Sequence, residues 1–220
     1  MNILSSFEQS LNVLPPNDLR RKIRVSGAEL LREVGLPHRR LESFRYTSLR
    51  ELGEYQFFHG AALVSEPMDF SPFLLPGCVN VVFVNGVLLH KDDFPSGLRY
   101  EVRNERKTSA GEASLDFLRQ AYFNGTHSFV IESGAQIEKP IHLVNLSQTG
   151  GVKLALNSLE IHFALGEGAR VTLLEQHCWG EASPHLSIPA ISVETSRGAA
   201  LNHVRVKKGQ GAGLHLGAVT

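Results

Sequence analysis

The sequence predicts a mainly β fold, a solenoid of repeated strands preceded by a small α-helical N-terminal region. Gly134-Ala135-Gln136-Ile137 recurs as Gly168-Ala169-Arg170-Val171 and as Gly198-Ala199-Ala200-Leu201, at steps of 34 and 30 residues. After Gly125, apolar and polar residues alternate, and no long helical pattern separates the alternating segments. Repeats of this length are typical of solenoids, although three short matches are also compatible with an ordinary β-sandwich.

The repeated motif has a simple physical interpretation. Glycine makes a tight turn, alanine is small enough where stacked coils approach closely, and the aliphatic residue points inward. The clearest strand has period two, which predicts one buried face. Its apolar positions are Leu159, Ile161, Phe163 and Leu165, and the positions between them are Ser158, Glu160, His162 and Ala164.

A complete helix signature lies in the first fifty residues. Ser26 and Glu29 fit a capping box, in which the serine hydroxyl accepts a backbone amide and the glutamate reaches back. An apolar face follows. Gly35 suits the left-handed position after the helix, and Pro37 prevents its continuation.

The middle of the chain predicts a connector with a short strand pair and a second helix. Val79–Val84 is a β-branched run, and Asn85-Gly86 after it is a hairpin signal. A helix is expected at about 112–123, with Ser109 and Glu112 as a capping box. The predicted organisation is residues 1–52 as the helical region, 53–124 as the connector and 125–220 as the first part of the solenoid, truncated at its C-terminal end.

Composition excludes several classes of function. The 22 basic and 22 acidic side chains balance, which argues against a nucleic-acid partner. Two lone cysteines, Cys78 and Cys178, fit a reducing compartment. The N-terminus lacks the order of a secretion signal, and the most apolar run, residues 79–89, is too short to span a bilayer. We therefore expect a cytoplasmic protein without membrane contact.

Catalytic and metal-binding motifs are absent from the sequence. Cys178, between His177 and Trp179, is a weak metal candidate, but neighbours in a strand point to opposite faces, and a structural thiol is the favoured interpretation. The ten histidines are scattered without a metal-binding spacing, so surface or hydrogen-bonded roles are expected. We expect no catalytic residue and no cofactor bound by this chain.

One charged and aromatic group stands apart from these patterns. Arg40, Glu42, Arg45 and Tyr46 lie close together in sequence. They are compatible with a partner-docking surface or with an internal ion-pair lock. The lock is favoured because interleaved charges near a helix end often satisfy local backbone groups.

Five motifs in order resemble the SufB/SufD family of iron–sulfur cluster assembly scaffolds. The first runs Gly-Leu-Pro-His-Arg-Arg-Leu-Glu-Ser-Phe-Arg-Tyr-Thr-Ser-Leu, with Phe44 where the family often has tryptophan. The second contains Phe-Val-Asn-Gly, and the third contains Ile-Glu-Lys-Pro-Ile. The five segments are residues 35–49, 81–86, 136–143, 161–175 and 195–206. The early motif and the short lead-in favour the SufD branch.

The resemblance implies a role for the chain and a fold. The family combines a helical N-terminal region, a right-handed parallel β-helix and a C-terminal helical segment, of which this chain would supply about the first half. Its expected partners are SufB-like and SufC-like proteins, and ATPase activity would belong to the SufC partner. An iron–sulfur cluster or a flavin is expected only in the assembled complex. The residues nearest the cluster are expected beyond Thr220.

Two rival interpretations remain at this point. The chain could be an unrelated β-solenoid enzyme, such as an acyltransferase or a sugar lyase, although the strict hexapeptide period and clustered acidic or basic catalytic residues are missing from the sequence. It could also be a cupin-like or sandwich-type binding module. Because the sequence stops at Thr220 in a strand-like stretch, we expect either further chain or a partner at that end.

Overall fold

A computed structural model describes residues 7–12, 14–49, 52, 57–64, 69–106, 112–148, 154–179, 185–209 and 213–220. The helices with described bounds are α1 (Phe7–Asn12), α2 (Leu19–Val34) and α3 (Ala113–Ala121). The strands are β1 (Phe57–His59), β2 (Val79–Val84), β3 (Val87–Lys91), β4 (Leu98–Arg103), β5 (Thr126–Ile131), β6 (Ile141–Ser147), β7 (Leu154–Asn157), β8 (Glu160–Leu165), β9 (Arg170–Trp179), β10 (His185–Ser187), β11 (Ala190–Thr195), β12 (Ala200–Gly209), β13 (Leu214–His215) and β14 (Ala218–Val219). The predicted mainly β class is confirmed.

The strands form three sheets, and from β5 onward each strand is a neighbour of the strand three positions later in the chain. Sheet 1 has the order β1-β7-β10-β13, sheet 2 the order β14-β11-β8-β5-β4, and sheet 3 the order β12-β9-β6-β2-β3. Among the described strands, the pairings are parallel except for β2 with β3 and β4 with β5. Parallel stacking of this kind differs from the antiparallel sheets of a sandwich.

The repeated glycine motif makes the turns between sheets 2 and 3. Gly134, Gly168 and Gly198 have φ values of 75°, 69° and 69°, which glycine adopts at little cost. The turns also bond to one another: the Gly134 amide donates to the Glu167 carbonyl at 2.8 Å, and the Gly168 amide to the Arg197 carbonyl at 2.9 Å. The predicted tight turn at each glycine is confirmed.

The segment expected to be a connector supplies strands to all three sheets. β1 pairs with β7, β2 with β6, and β4 with β5. The predicted hairpin at Asn85-Gly86 is present, with φ values of 51° and 81° joining β2 to β3. Residues 79–84 therefore form part of a main sheet rather than an isolated strand pair.

Apolar side chains at equivalent positions stack between the sheets. Phe129 and Phe163 face each other across the β5–β8 pairing, with ring centroids 4.9 Å apart and planes 12° apart. Val81, Phe83 and Leu173 belong to the same buried cluster. The predicted one-sided burial of β8 is wrong, because its other face, which carries Glu160 and His162, is buried as well.

Both helix starts differ from the predicted capping boxes. Helix α2 begins earlier than expected, and the Asp18 carboxylate caps it by accepting the Arg20 amide at 2.8 Å. Ser26 and Glu29 therefore lie inside the helix. Helix α3 is capped by Glu112 itself, whose carboxylate accepts the Ser114 and Leu115 amides, whereas Ser109 lies outside the described residues.

The helices pack on one another and on sheet 1. A Cβ at Gly27 of α2 would lie 2.5 Å from the Ala121 backbone nitrogen, so only glycine permits this close crossing with α3. Arg119 of α3 donates to the Ile188 carbonyl at 3.2 Å and to the Leu216 carbonyl at 3.1 Å. Burial lowers the pKa of Arg119 to about 10. No helix in the described part of the chain is both long and apolar enough to cross a membrane.

We expect Gly86→Ala to destabilise the fold more than Gly77→Ala. Both glycines have positive φ, 81° and 79°, so both substitutions carry about 1 kcal/mol of backbone strain. A Cβ at Gly86 would also lie 2.3 Å from the Ser158 carbonyl oxygen, whereas nothing lies within 4 Å at Gly77. The clash should add about 2 kcal/mol to the loss in unfolding free energy, measured by urea denaturation. Equal losses in the two variants would contradict this packing.

Candidate functional site

The four residues that the sequence singled out lie on the surface of the helical region. Arg40, Glu42, Arg45 and Tyr46 are all exposed, and Tyr46 is 93% exposed. They surround a short 3-10 turn at Glu42–Phe44. The Arg45 guanidinium carbon lies 5.6 Å from the Tyr46 ring centroid. Within the described residues, no ion pair joins these arginines to Glu42.

A second polar group lies between sheets 1 and 3, and its central residue was not singled out from the sequence. Its centre is Glu175 on β9, which is only 2% exposed. His177 Nε2 lies 2.6 Å from Glu175 Oε1, and His203 Nε2 lies 2.7 Å from Oε2. Arg205 donates its Nε–H to Oε2 at 2.6 Å. We call Glu175, His177, His203 and Arg205 the Glu175 cluster.

A chain of donors fixes the orientation of His177. Asn157 Nδ2 donates to Asn145 Oδ1 at 2.8 Å, and Asn145 Nδ2 lies 3.2 Å from His177 Nδ1. Since the Asn145 amide nitrogen can only donate, His177 Nδ1 accepts, and the imidazole proton resides on Nε2. That proton then points at Glu175. Each residue of the series therefore donates to the next, from Asn157 to the Glu175 carboxylate.

Three donors keep the buried carboxylate ionised. Burial alone would raise the pKa of Glu175, but hydrogen bonds from His177, His203 and Arg205 outweigh it and hold the pKa below its usual range. His215 packs against His177 with ring centroids 4.4 Å apart. Burial, reinforced by the nearby His177, Lys207 and Arg205, lowers the pKa of His215 to about 2 and keeps it uncharged.

The strand register explains how these residues meet. Glu175 pairs with Arg205 across β9 and β12, and His177 pairs with Asn145 across β6 and β9. Alternate residues of β9 point inward, so Glu175 and His177 follow the apolar Val171 and Leu173 along the same face. The interior therefore changes from apolar to polar along a single strand.

Chemically, the Glu175 cluster is a closed network rather than an open catalytic site. Both carboxylate oxygens accept bonds from charged or polar donors, and the low pKa leaves Glu175 a poor proton acceptor near neutral pH. In the part of the chain that the structure describes, no group of three or more His, Cys, Asp and Glu side chains is arranged to hold a metal ion.

Cys178 lies on the opposite face of β9 from His177. It packs in a buried cluster with Val82, Val84 and Val144, and Gln176 Nε2 lies 3.0 Å from its sulfur. Burial raises the pKa of the Cys178 thiol, which disfavours the thiolate that binds metals and reacts with electrophiles. This environment supports the structural interpretation of the thiol.

Comparison with known proteins gives a curated relative. The chain is 26% identical over 186 residues to the iron-sulfur cluster assembly protein SufD of Escherichia coli (strain K12). The match covers 81% of this chain and 44% of that protein, so the chain spans less than half the length of the relative. No family model matches the chain. The relationship to SufD, through its N-terminal half, that the ordered motifs predicted is confirmed.

We expect Glu175→Gln to lower the unfolding free energy by about 3 kcal/mol at neutral pH, because it leaves buried donors without an ionised acceptor. The depressed pKa stabilises the fold above the unfolded-state pKa of about 4.3, and this stabilisation is lost as the pH falls through the folded-state pKa. The deficit should therefore be full at neutral pH and shrink below about pH 4. Urea denaturation across this range measures it.

The matched control is Glu167→Gln, which changes an exposed glutamate on a turn of the same repeat. It should alter the unfolding free energy by less than about 0.5 kcal/mol. If the two variants were equally stable at neutral pH, the cluster would not contribute to the fold in the way described.

The two cysteines should differ in reactivity. Cys78 is partly exposed and lines a surface pocket with Asp93 and Lys139, whereas Cys178 is buried. We expect iodoacetamide to modify Cys78 at least about tenfold faster than Cys178 under native conditions, followed by mass spectrometry. In denaturant the two rates should converge. A faster native rate at Cys178 would contradict its buried, protonated state.

Proposed function

We propose that this chain is the N-terminal part of a SufD-like scaffold subunit that supports iron–sulfur cluster assembly. The carrying observation is its similarity to SufD over 81% of the chain, together with the five motifs in family order. The three sheets of parallel strands add support, since consecutive strands advance from sheet to sheet and each third strand stacks on its predecessor. We propose that they wind as a right-handed parallel β-helix.

The scaffold would act through binding rather than turnover. Its partners are a SufB-like protein and a SufC-like ATPase, with ATP hydrolysis on the SufC side, and assembly takes place in the cytoplasm. The cluster is the cargo of the complex, and a cluster or a flavin binds only in the assembled complex. The closed Glu175 cluster supports a non-catalytic role for the described region, because its carboxylate is already saturated with donors.

The rival solenoid enzyme would need a substrate site among these strands. A serine hydroxyl does approach an imidazole on sheet 2, where Ser192 Oγ lies 2.9 Å from His162 Nδ1. Both side chains are buried, at 7% and 2% exposure, so a substrate could not reach this pair without rearrangement of the fold. We therefore favour the scaffold.

Co-expression tests the proposal. The full-length protein that contains this chain should copurify with SufB-type and SufC-type partners as one species on size-exclusion chromatography, under anaerobic and reducing conditions. The exposed Glu167→Gln variant serves as a folded control and should copurify equally well. A folded protein that elutes apart from both partners would overturn the scaffold role, and turnover by the isolated chain would favour the enzyme.

A further inference from the structure

The helical region carries a surface groove to which the proposed scaffold role assigns no ligand. The groove has a volume of about 580 Å³, and we call it the N-terminal groove. It is lined by Pro37, His38, Arg39, Arg40, Ser48 and Leu49. Pro37 and Leu49 are buried and form an apolar floor, whereas His38, Arg39 and Arg40 are exposed at its edge.

The edge of the groove has a local excess of positive charge. Arg39 and Arg40 line the groove, and Arg45 follows them in the sequence; all three are exposed, and within the described residues none of them is paired with a carboxylate. Glu42 is the acidic residue among them in sequence. Because the whole chain has no net charge, this excess is a local property of the surface rather than a general one.

An exposed aromatic ring lies close to the groove residues in the sequence. Tyr46 is 93% exposed and lies two positions before Ser48 of the groove. Tyrosine and arginine are the residue types most enriched at the energetic centres of protein interfaces. The Arg45 guanidinium, 5.6 Å from the ring centroid, already holds the ring and the charge side by side.

The arginines and the apolar residues of the groove indicate which type of ligand would bind there. Arginine pairs with carboxylates through two parallel hydrogen bonds, and an apolar floor accepts an aliphatic or aromatic side chain. A nucleic acid would use the arginines but would leave the apolar floor unfilled. We propose that the N-terminal groove binds a segment of a partner protein in which carboxylates flank an apolar side chain.

Fluorescence anisotropy of the intact chain with labelled synthetic peptides tests this proposal. The probe is a short peptide in which Asp and Glu flank a leucine. Two further peptides replace the leucine by glycine or every acidic residue by lysine. The acidic leucine peptide should bind, the glycine peptide should bind at least about fivefold more weakly, and the lysine peptide should not bind. Salt at about 0.5 M should weaken binding, because it screens exposed charges.

Charge reversal locates the site. The double variant Arg39→Glu/Arg40→Glu should lose at least about tenfold in affinity, and Tyr46→Ala should lose several-fold. The matched control reverses two exposed arginines of the repeat, Arg170 at the start of β9 and Arg197 on the turn before β12, as Arg170→Glu/Arg197→Glu, and should bind as the parent does. All these positions are exposed, so circular dichroism should show an unchanged fold.

Several outcomes would overturn the proposal. They are no binding of the acidic leucine peptide, equal binding of the glycine peptide, or an equal loss in both double variants. A single-stranded oligonucleotide that displaces the peptide and binds more tightly through Arg39 and Arg40 would assign the surface to nucleic acid instead. Copurification with SufB-type and SufC-type partners is scored separately, so either result can fail while the other stands.

Discussion

In-register parallel pairing of successive strands is the constraint on which the rest of the structure depends. Each inward side chain lies beside the residues at the paired positions of the neighbouring strands, so its neighbours are set by the backbone ladder. A large apolar residue therefore needs an apolar neighbour, as Phe129 has in Phe163. A buried charge needs a partner in the same column, as Glu175 has in Arg205. The apolar interior and the Glu175 cluster therefore both result from the in-register pairing of parallel strands.

Local features were predictable from the sequence, and long-range ones only in part. The glycine turns and the hairpin at residues 85–86 follow from backbone preferences of single residues. The start of α2 was missed because Arg24, at a fully buried position, looks polar in an apolar pattern. The step of 30 residues does relate Glu175 to Arg205, so that pair could have been found. The repeat step of 34 residues does not predict the pairing beyond the turn. Residue 136 pairs with residue 170, as that step requires, but residue 141 pairs with residue 173, which is a shorter step.

The polar residues of the strands and those of the helical region differ in where they lie and in whether they are paired. The Glu175 cluster is inside, its donors and acceptors are matched, and its contribution is to the stability of the fold. The N-terminal groove is outside, and its arginines have no described carboxylate partner. Of the predicted site residues, Arg40 lines the groove, whereas none of them belongs to the Glu175 cluster. A buried charged group that is hydrogen-bonded to its neighbours stabilises the fold, whereas an exposed charged group without a partner is available to bind another molecule.

Arg119 gives the helical region a mechanical role. Its guanidinium holds the carbonyls of Ile188 and Leu216, which occupy equivalent positions in consecutive turns. One rigid, planar group thus spans the rise between two layers, which in a β-sheet is about 4.8 Å. If one layer slid past the other, at least one of these two bonds would break. The helix that carries Arg119 is therefore joined by one side chain to two neighbouring layers of strands at once.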